Sequence, residues 1–264
     1  MTEQSPASDR ASYRDGEDFL SRARRERAAL DPVQPLGPTA QLVVAALSVP
    51  QESTMNTSPS RCSSYLREEE RKALRAEWAR VEAQLRWRDA EVPERHAKKV
   101  KALCQSATGS WFQVYTDLRA RLGSGLLVAL VGARGTGKTQ LAACLIADVV
   151  EERSARYIKA PELFRVLREC FGPATHESEN EVVTRFSAYS LLVIDATEER
   201  GQTSFEDRTL ACIVDQRYDR ELDTLLLSNE TRAEFAQGAG SSILSRMTEC
   251  GGVIECDWPS FRGC

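Results

Sequence analysis

An α/β fold of three layers, with helices on both faces of a mostly parallel five-stranded sheet, is what this 264-residue sequence predicts. Three observations carry the prediction. From residue 126 onward, short apolar runs alternate with segments of helical period, the pattern of buried parallel strands joined by crossover helices. The first run opens directly into a glycine-rich loop and then a helix. A later run, LLVI, ends on an acid, Asp195, which a strand in that position delivers to the edge of the sheet.

Taken in order, residues 126–131 (LLVALV) are apolar throughout and bounded by Gly125 and Gly132, as a strand buried on both faces requires. Residues 138–150 are helical, and 156–159 make a second short strand. Pro161 near its first turn opens a helix over 161–170, and another helix covers 179–188. Residues 191–194 are the third strand, 205–220 a longer helix, and 224–228 (TLLLS) the fourth strand. Ser241 or Ser242 caps a helix running to residue 249, and 253–256 is the fifth strand. No internal repeat interrupts this order.

The first sixty residues differ in kind. They hold six of the ten prolines, many Ser and Thr, and no sustained period, so residues 1–60 read as a disordered extension with one short basic helix around 19–29. Over residues 65–89, Leu74, Trp78, Val81 and Leu85 fall on one helical stripe. The other faces carry both signs of charge, with eight positive and eight negative side chains between Arg67 and Arg95. Either the stripe packs on the protein's own domain or it docks on a partner, since a lone helix cannot bury both Trp78 and Trp87. The expected organisation is a disordered extension (1–60), an N-terminal helical partner-docking segment (61–95) and an α/β core (96–264).

Composition narrows the function classes. Hydrophobic residues at 42% and charged residues at 28% fit an ordinary globular chain. A net charge of -4 argues against holding nucleic acid by bulk positive charge. The eight Cys include no CxxC pair and there are only two His, His96 and His176, which favours scattered reduced thiols over a zinc module. The N-terminus lacks the basic-then-apolar order of a signal peptide, and the most apolar early stretch, 40–49, is too short for a bilayer. The expectation is a cytoplasmic protein with no membrane partner.

Gly132-Ala133-Arg134-Gly135-Thr136-Gly137-Lys138-Thr139 fits G-x-x-x-x-G-K-[ST] in full, between the strand and the helix that motif requires. With glycine near 7% of residues, a chance match in such a chain has a probability of about 1%. The glycines let successive N–H groups turn onto phosphate oxygens, and the helix starting at Lys138, Thr139 and Gln140 adds its positive end. Lys138 reaches the β- and γ-phosphates and the Thr139 hydroxyl ligates Mg²⁺. Asp195, about 55 residues on, completes the metal shell, so ATP and Mg²⁺ are the expected cofactors and the fold is of the P-loop NTPase kind. Asn229, at the end of the fourth strand, either orients the attacking water and senses the γ-phosphate or makes a strand-end turn. Arg246 is either a surface ion pair or an arginine finger for a neighbouring subunit. Lys138, Asp195, Asn229 and Arg246 form the expected catalytic set.

The order of GARGTGKT, LLVID, LLLSN and SSILSRM, with Ala90-Glu-Val-Pro-Glu-Arg95 upstream and WPSFR (Trp258 to Arg262) near the end, resembles the AAA+ ATPases of the DnaC/IstB type over roughly residues 62–262. The resemblance implies an AAA+ core and assigns the metal role to Asp195, the sensor role to Asn229 and the finger role to Arg246. It also implies adenine contact along Val92-Pro93-Glu94-Arg95, hence by Pro93 and Arg95. Family DNA contacts lie on helices between the second and third strands. Here that region offers Arg165, Arg168 and Arg185 amid Glu162, Glu169 and Glu181, a pattern that solvated faces share. Two departures stand out. Relatives place a glutamate directly after the metal Asp, where this chain has Ala196, so ATPase activity is expected to be weak. Eight residues follow the last expected strand, so little or no C-terminal lid is expected.

The function so implied is ATP-controlled loading or remodelling of a replicative helicase on single-stranded DNA. Residues 61–95 hold the helicase, self-association runs through Arg246, and ATP acts as an assembly switch with slow hydrolysis. An IstB-like transposition helper that binds DNA and a transposase is the alternative, although a charge-balanced helix is poorly suited to duplex DNA. A P-loop small-molecule kinase needs an acceptor pocket and leaves Asn229 and Arg246 unused, and a GTPase needs an NKxD motif, which is absent.

Overall fold

The computed structural model describes residues 68–106, 109–172, 177–201 and 203–261. The expectations for residues 1–60, the basic helix at 19–29 included, lie outside the described residues, as do 61–67 of the docking segment and Arg262.

Helix α1 (Glu68–Asp89) is built from strong helix formers with i,i+3 and i,i+4 ion pairs such as Arg80–Glu77 and Arg86–Glu82. None of its residues is buried, and Trp78 and Leu85 of the apolar stripe are 46% and 45% exposed. Its last turn behaves differently. Trp87 packs against the core, and Arg86 Nε donates to Val150 O at 2.7 Å. Three helices follow before the first strand: α2 (Glu94–Ala97), α3 (Val100–Ser106) and α4 (Gly109–Arg121).

The five strands are β1 (Leu127–Val131), β2 (Ala155–Lys159), β3 (Leu191–Asp195), β4 (Asp223–Leu227) and β5 (Gly251–Glu255). They form one sheet in the order β2-β3-β4-β1-β5, with every pairing parallel. β5 begins two residues before its apolar pattern does, for a steric reason. A Cβ on Gly251 would lie 2.6 Å from Leu127 O, so only glycine lets that end of the strand close on β1.

Alternation along β1 splits the core in two. Val128 and Leu130 face the layer of α4 and α5 (Lys138–Val149), packed by Trp111, Tyr115, Leu118, Leu141 and Leu145. Leu127, Ala129 and Val131 face the opposite layer. That layer comprises α6 (Ala160–Glu169), α7 (Glu179–Ser187), α8 (Ser204–Asp219), a short α9 (Arg232–Gly238) and α10 (Ser241–Cys250). The three-layer α/β fold is thus as expected. One local reading is corrected: the N-cap of α10 is Gly240 at φ 81°, and neither Ser241 nor Ser242 caps it.

One charged side chain knits the second layer together. Arg217 is fully buried and donates to Thr224 Oγ1 (2.8 Å), Tyr189 O (2.7 Å), Phe186 O (3.3 Å) and Asp223 O. Burial pulls its pKa down to about 9, which still leaves it charged at neutral pH.

Candidate nucleotide-binding site

Because all five strands run the same way, their carboxyl ends share one edge, and the candidate residues are strung along it. The loop after β1 turns on Gly132, Gly135 and Gly137, at φ 124°, 96° and 83°. Lys138 is only 6% exposed, and its Nζ donates to Gly132 O (2.7 Å) and Ala133 O (2.9 Å), so the ammonium sits within the loop. Three contacts brace the loop from outside. Trp258 Nε1 donates to Thr136 O at 2.6 Å, Phe261 N to Gly135 O at 3.0 Å, and Trp111 Nε1 to Gly137 O at 3.3 Å. With its carbonyls engaged on that side, the loop and the start of α5 present amide groups suited to an anion.

Thr139 Oγ1 donates to Asp195 Oδ2 at 2.8 Å. Tyr157 on β2 donates to the same oxygen at 2.6 Å, and Ala196 N donates to Oδ1 at 2.7 Å. Burial and the neighbouring Asp195 carboxylate push the Tyr157 phenol well above its ordinary pKa, so it stays a donor. A hydroxyl and a carboxylate side by side suit Mg²⁺, which takes one or two protein oxygens and fills its octahedron with phosphate and water. Among the described residues no group of three or more His, Cys, Asp or Glu is gathered as a metal site.

Past Asp195 the chain turns sharply. Ala196 is left-handed at φ 56° and leads into a 3-10 turn, Thr197–Glu199. Asn229 Nδ2 donates to Glu198 Oε1 across the edge, and Arg134 of the loop donates to Glu199 Oε1 at 3.1 Å. Asn229 lines a cavity of about 370 Å³ together with Gly132, Ala133, Thr136 and Trp258. Cys256, in the same wall, has its thiol pushed up to about 12 by burial and is inert at neutral pH.

Other expected residues lie apart from this group. Arg246 pairs with Asp215 of α8, and its guanidinium lies 5.3 Å from the Tyr218 ring centroid. Within one chain it is therefore held on α8 and not brought to Lys138 and Asp195. Pro93 caps α2, and Gln140 Nε2 donates to His96 O at 3.1 Å, which ties the segment of Pro93 and Arg95 to the first turn of α5. Each candidate DNA-contacting arginine has an acidic partner of its own chain. Arg165 pairs with Glu169 (2.5 Å), Arg168 with the buried Glu206 (3.1 Å) and Arg185 with Glu177 (3.0 Å). Glu181 instead closes the capping box of α7 with Ser178. Sequence reasoning missed Tyr157 and the bracing role of Trp111. Nothing in ARYIK singles out the tyrosine, whereas Trp111, Tyr115 and Leu118 stand at helical spacing and signal a buried helix face.

No protein-family model matches the chain. Among curated proteins it is similar to the replicative helicase loader DnaC of Escherichia coli strain K12, at 26% identity over 133 residues, which are 50% of this chain and 54% of that protein. The DnaC of Shigella flexneri gives the same figures, so the chain spans about half the length of the curated relatives it matches. Two solved DnaA structures share its fold. AMPPCP-bound DnaA from Aquifex aeolicus is 19% identical, covers 58% of this chain and 49% of its own, and has a TM-score of 0.50. The replication initiator DnaA bound to AMPPCP and single-stranded DNA is 21% identical, with coverages of 60% and 50% and a TM-score of 0.51. Among the described residues, no helix is long and apolar enough to cross a membrane. The chain thus carries the three-layer P-loop fold of AAA+ proteins and is similar in sequence to the DnaC helicase loaders.

Proposed function

We propose that this chain binds ATP with Mg²⁺ and uses the nucleotide state to load or remodel a replicative DNA helicase. The observation that carries the nucleotide part is the 2.8 Å contact between Thr139 and Asp195 beside a lysine-filled glycine loop. The helicase part rests on the similarity to DnaC.

On this reading the loop amides from Gly132 to Gly137 and the start of α5 bind the phosphates. Lys138 leaves the carbonyls of Gly132 and Ala133 for the β- and γ-phosphates. Thr139 and Asp195 hold Mg²⁺, which when bound neutralises charge on the phosphates. Adenine rests along Pro93 and Arg95, and Asn229 orients the attacking water. Arg246 exchanges Asp215 for the γ-phosphate of a neighbouring copy, so hydrolysis requires self-association and is slow in the lone chain. Residues 61–95 dock the helicase through the exposed Trp78 and Leu85, joined to the core (96–264) by the pinned end of α1. Contact with single-stranded DNA through Arg165, Arg168 and Arg185 has to displace their own acids, so one copy is a poor DNA binder. Assembly adds phosphate contacts, and with them affinity and salt dependence.

The test is size-exclusion chromatography of the full chain with its host's replicative helicase, in ATP, in ADP and without nucleotide. An ATP-dependent complex, lost in Lys138→Ala and weakened in Trp78→Ala, is the expected result. Absence of any complex defeats the loader reading.

A further inference from the structure

We infer that Glu198 is the general base of ATP hydrolysis in this chain, standing in for the carboxylate that is missing at Ala196. The inference rests on the ATP-hydrolysing reading above and deepens it.

A P-loop ATPase needs a proton acceptor where water meets the γ-phosphorus. The residue after Asp195 cannot serve, because Ala196 carries only a methyl group and is 8% exposed. What Ala196 does supply is a bend. A left-handed non-glycine residue costs about 1 kcal/mol, and here it ends β3 and starts the 3-10 turn. The turn is fastened down: Thr197 is fully buried, and its hydroxyl donates to Leu227 O at the end of β4 (3.2 Å). The next residue, Glu198, is thereby set opposite Asn229, one of the residues that line the loop cavity.

The two Glu198 oxygens are unlike. Oε1 accepts from Asn229 Nδ2, whereas Oε2 is buried with no hydrogen-bond partner among the described residues. A buried carboxylate oxygen without a donor is unfavourable, and a water held beside it satisfies it. The other two acids on this turn are engaged. Both Asp195 oxygens accept hydrogen bonds from Thr139, Tyr157 and Ala196, and Glu199 pairs with Arg134 while 47% exposed. Glu198 is therefore the carboxylate left to act on water. In the step, water oxygen bonds to the γ-phosphorus while its proton passes to Glu198 Oε2. The bond from γ-phosphorus to the bridging oxygen breaks, and its electron pair leaves with ADP. Glu198 then returns the proton to phosphate or solvent.

Glu198→Gln tests this, since the amide oxygen still accepts from Asn229 but the side chain no longer takes a proton. Three quantities are measured on the full chain with and without helicase: steady-state hydrolysis, affinity for a fluorescent ATP analogue, and ATP-dependent assembly by sedimentation. The expected result is a kcat lower by about 100-fold or more, with nucleotide affinity within about twofold and assembly intact. Glu198→Ala should lose turnover equally, and circular dichroism checks that both variants are folded. Unchanged turnover in E198Q overturns the assignment while leaving the ATPase reading standing. Loss of nucleotide binding in a folded E198Q, which marks a purely structural role, overturns it too. A native chain that binds ATP but never hydrolyses it overturns both the assignment and the hydrolysis part of the reading, while leaving nucleotide binding standing. A native chain that fails to bind ATP sinks the underlying reading itself.

Discussion

Replacing Gly132 by alanine tests whether the first glycine of the loop is there for its backbone or by accident. At φ 124° it lies where L side chains are strained, and an added Cβ would sit 2.8 Å from Cys256 O and 3.3 Å from Cys256 N. Those are backbone atoms just past β5, held by the bond from Cys256 N to Val131 O (2.8 Å), so no flexible side chain can yield. Strain of about 1–2 kcal/mol at the dihedral, plus about 1–2 kcal/mol of overpacking, gives a destabilisation of about 3 kcal/mol. For a unit of this size that lowers Tm by about 6–12 °C. The loop must also shift relative to Glu230, whose carbonyl accepts from Gly132 N at 2.8 Å, so nucleotide affinity should fall by about tenfold or more. Gly238→Ala is the internal control. It lies on the last turn of α9 with no atom within 4 Å of the added Cβ, and should be neutral or up to about 1 kcal/mol stabilising. Thermal unfolding and ATP-analogue titration read both variants. A Gly132→Ala protein that melts with wild type and binds nucleotide as tightly would refute the steric reasoning.

Three further outcomes are expected. Trp258→Phe removes the indole donor to Thr136 O (2.6 Å) and should weaken nucleotide binding about fivefold, measured by titration. Arg246→Ala should cut assembled ATPase by about 1000-fold, with activity returning on mixing with Lys138→Ala subunits. Its effect on folding should stay below about 1 kcal/mol, because the Asp215 pair is partly exposed. Backbone N–H bonds from Ser178 and Thr231 hold the capping carboxylates of Glu181 and Glu234 below their ordinary value of 4.5. Groups depressed in this way stabilise the fold above that value and lose the contribution as pH falls through the native one. Amide protection factors at the starts of α7 and α9 should therefore fall in acid, and an identical fall in Glu181→Gln at α7 would exclude the mechanism.

Much of the molecule is legible in one dimension, and the reasons are local. GARGTGKT and LLVID declare themselves because a phosphate loop and a doubly buried strand each demand particular residues at fixed spacing. The helix over Gly109–Arg121 is harder to read although Trp111, Tyr115 and Leu118 share a face, since Phe112 and Val114 put apolar side chains on other faces and blur the period. The start of β5 is illegible because its two glycines carry no apolar signal, yet the missing side chain of Gly251 is what admits the strand.

The amino-acid sequence by itself determined the layered α/β class, the phosphate loop and the acid that faces it, because these follow from periodicity and from contacts within a few residues. Tertiary structure decided which strand neighbours which. In so doing it placed Tyr157 on Asp195, Glu198 opposite Asn229 and Arg246 against Asp215. Those pairs lie 31 to 38 residues apart in the chain, because strand order and the packing of helices on the sheet decide which side chains meet, and hydropathy does not encode that order.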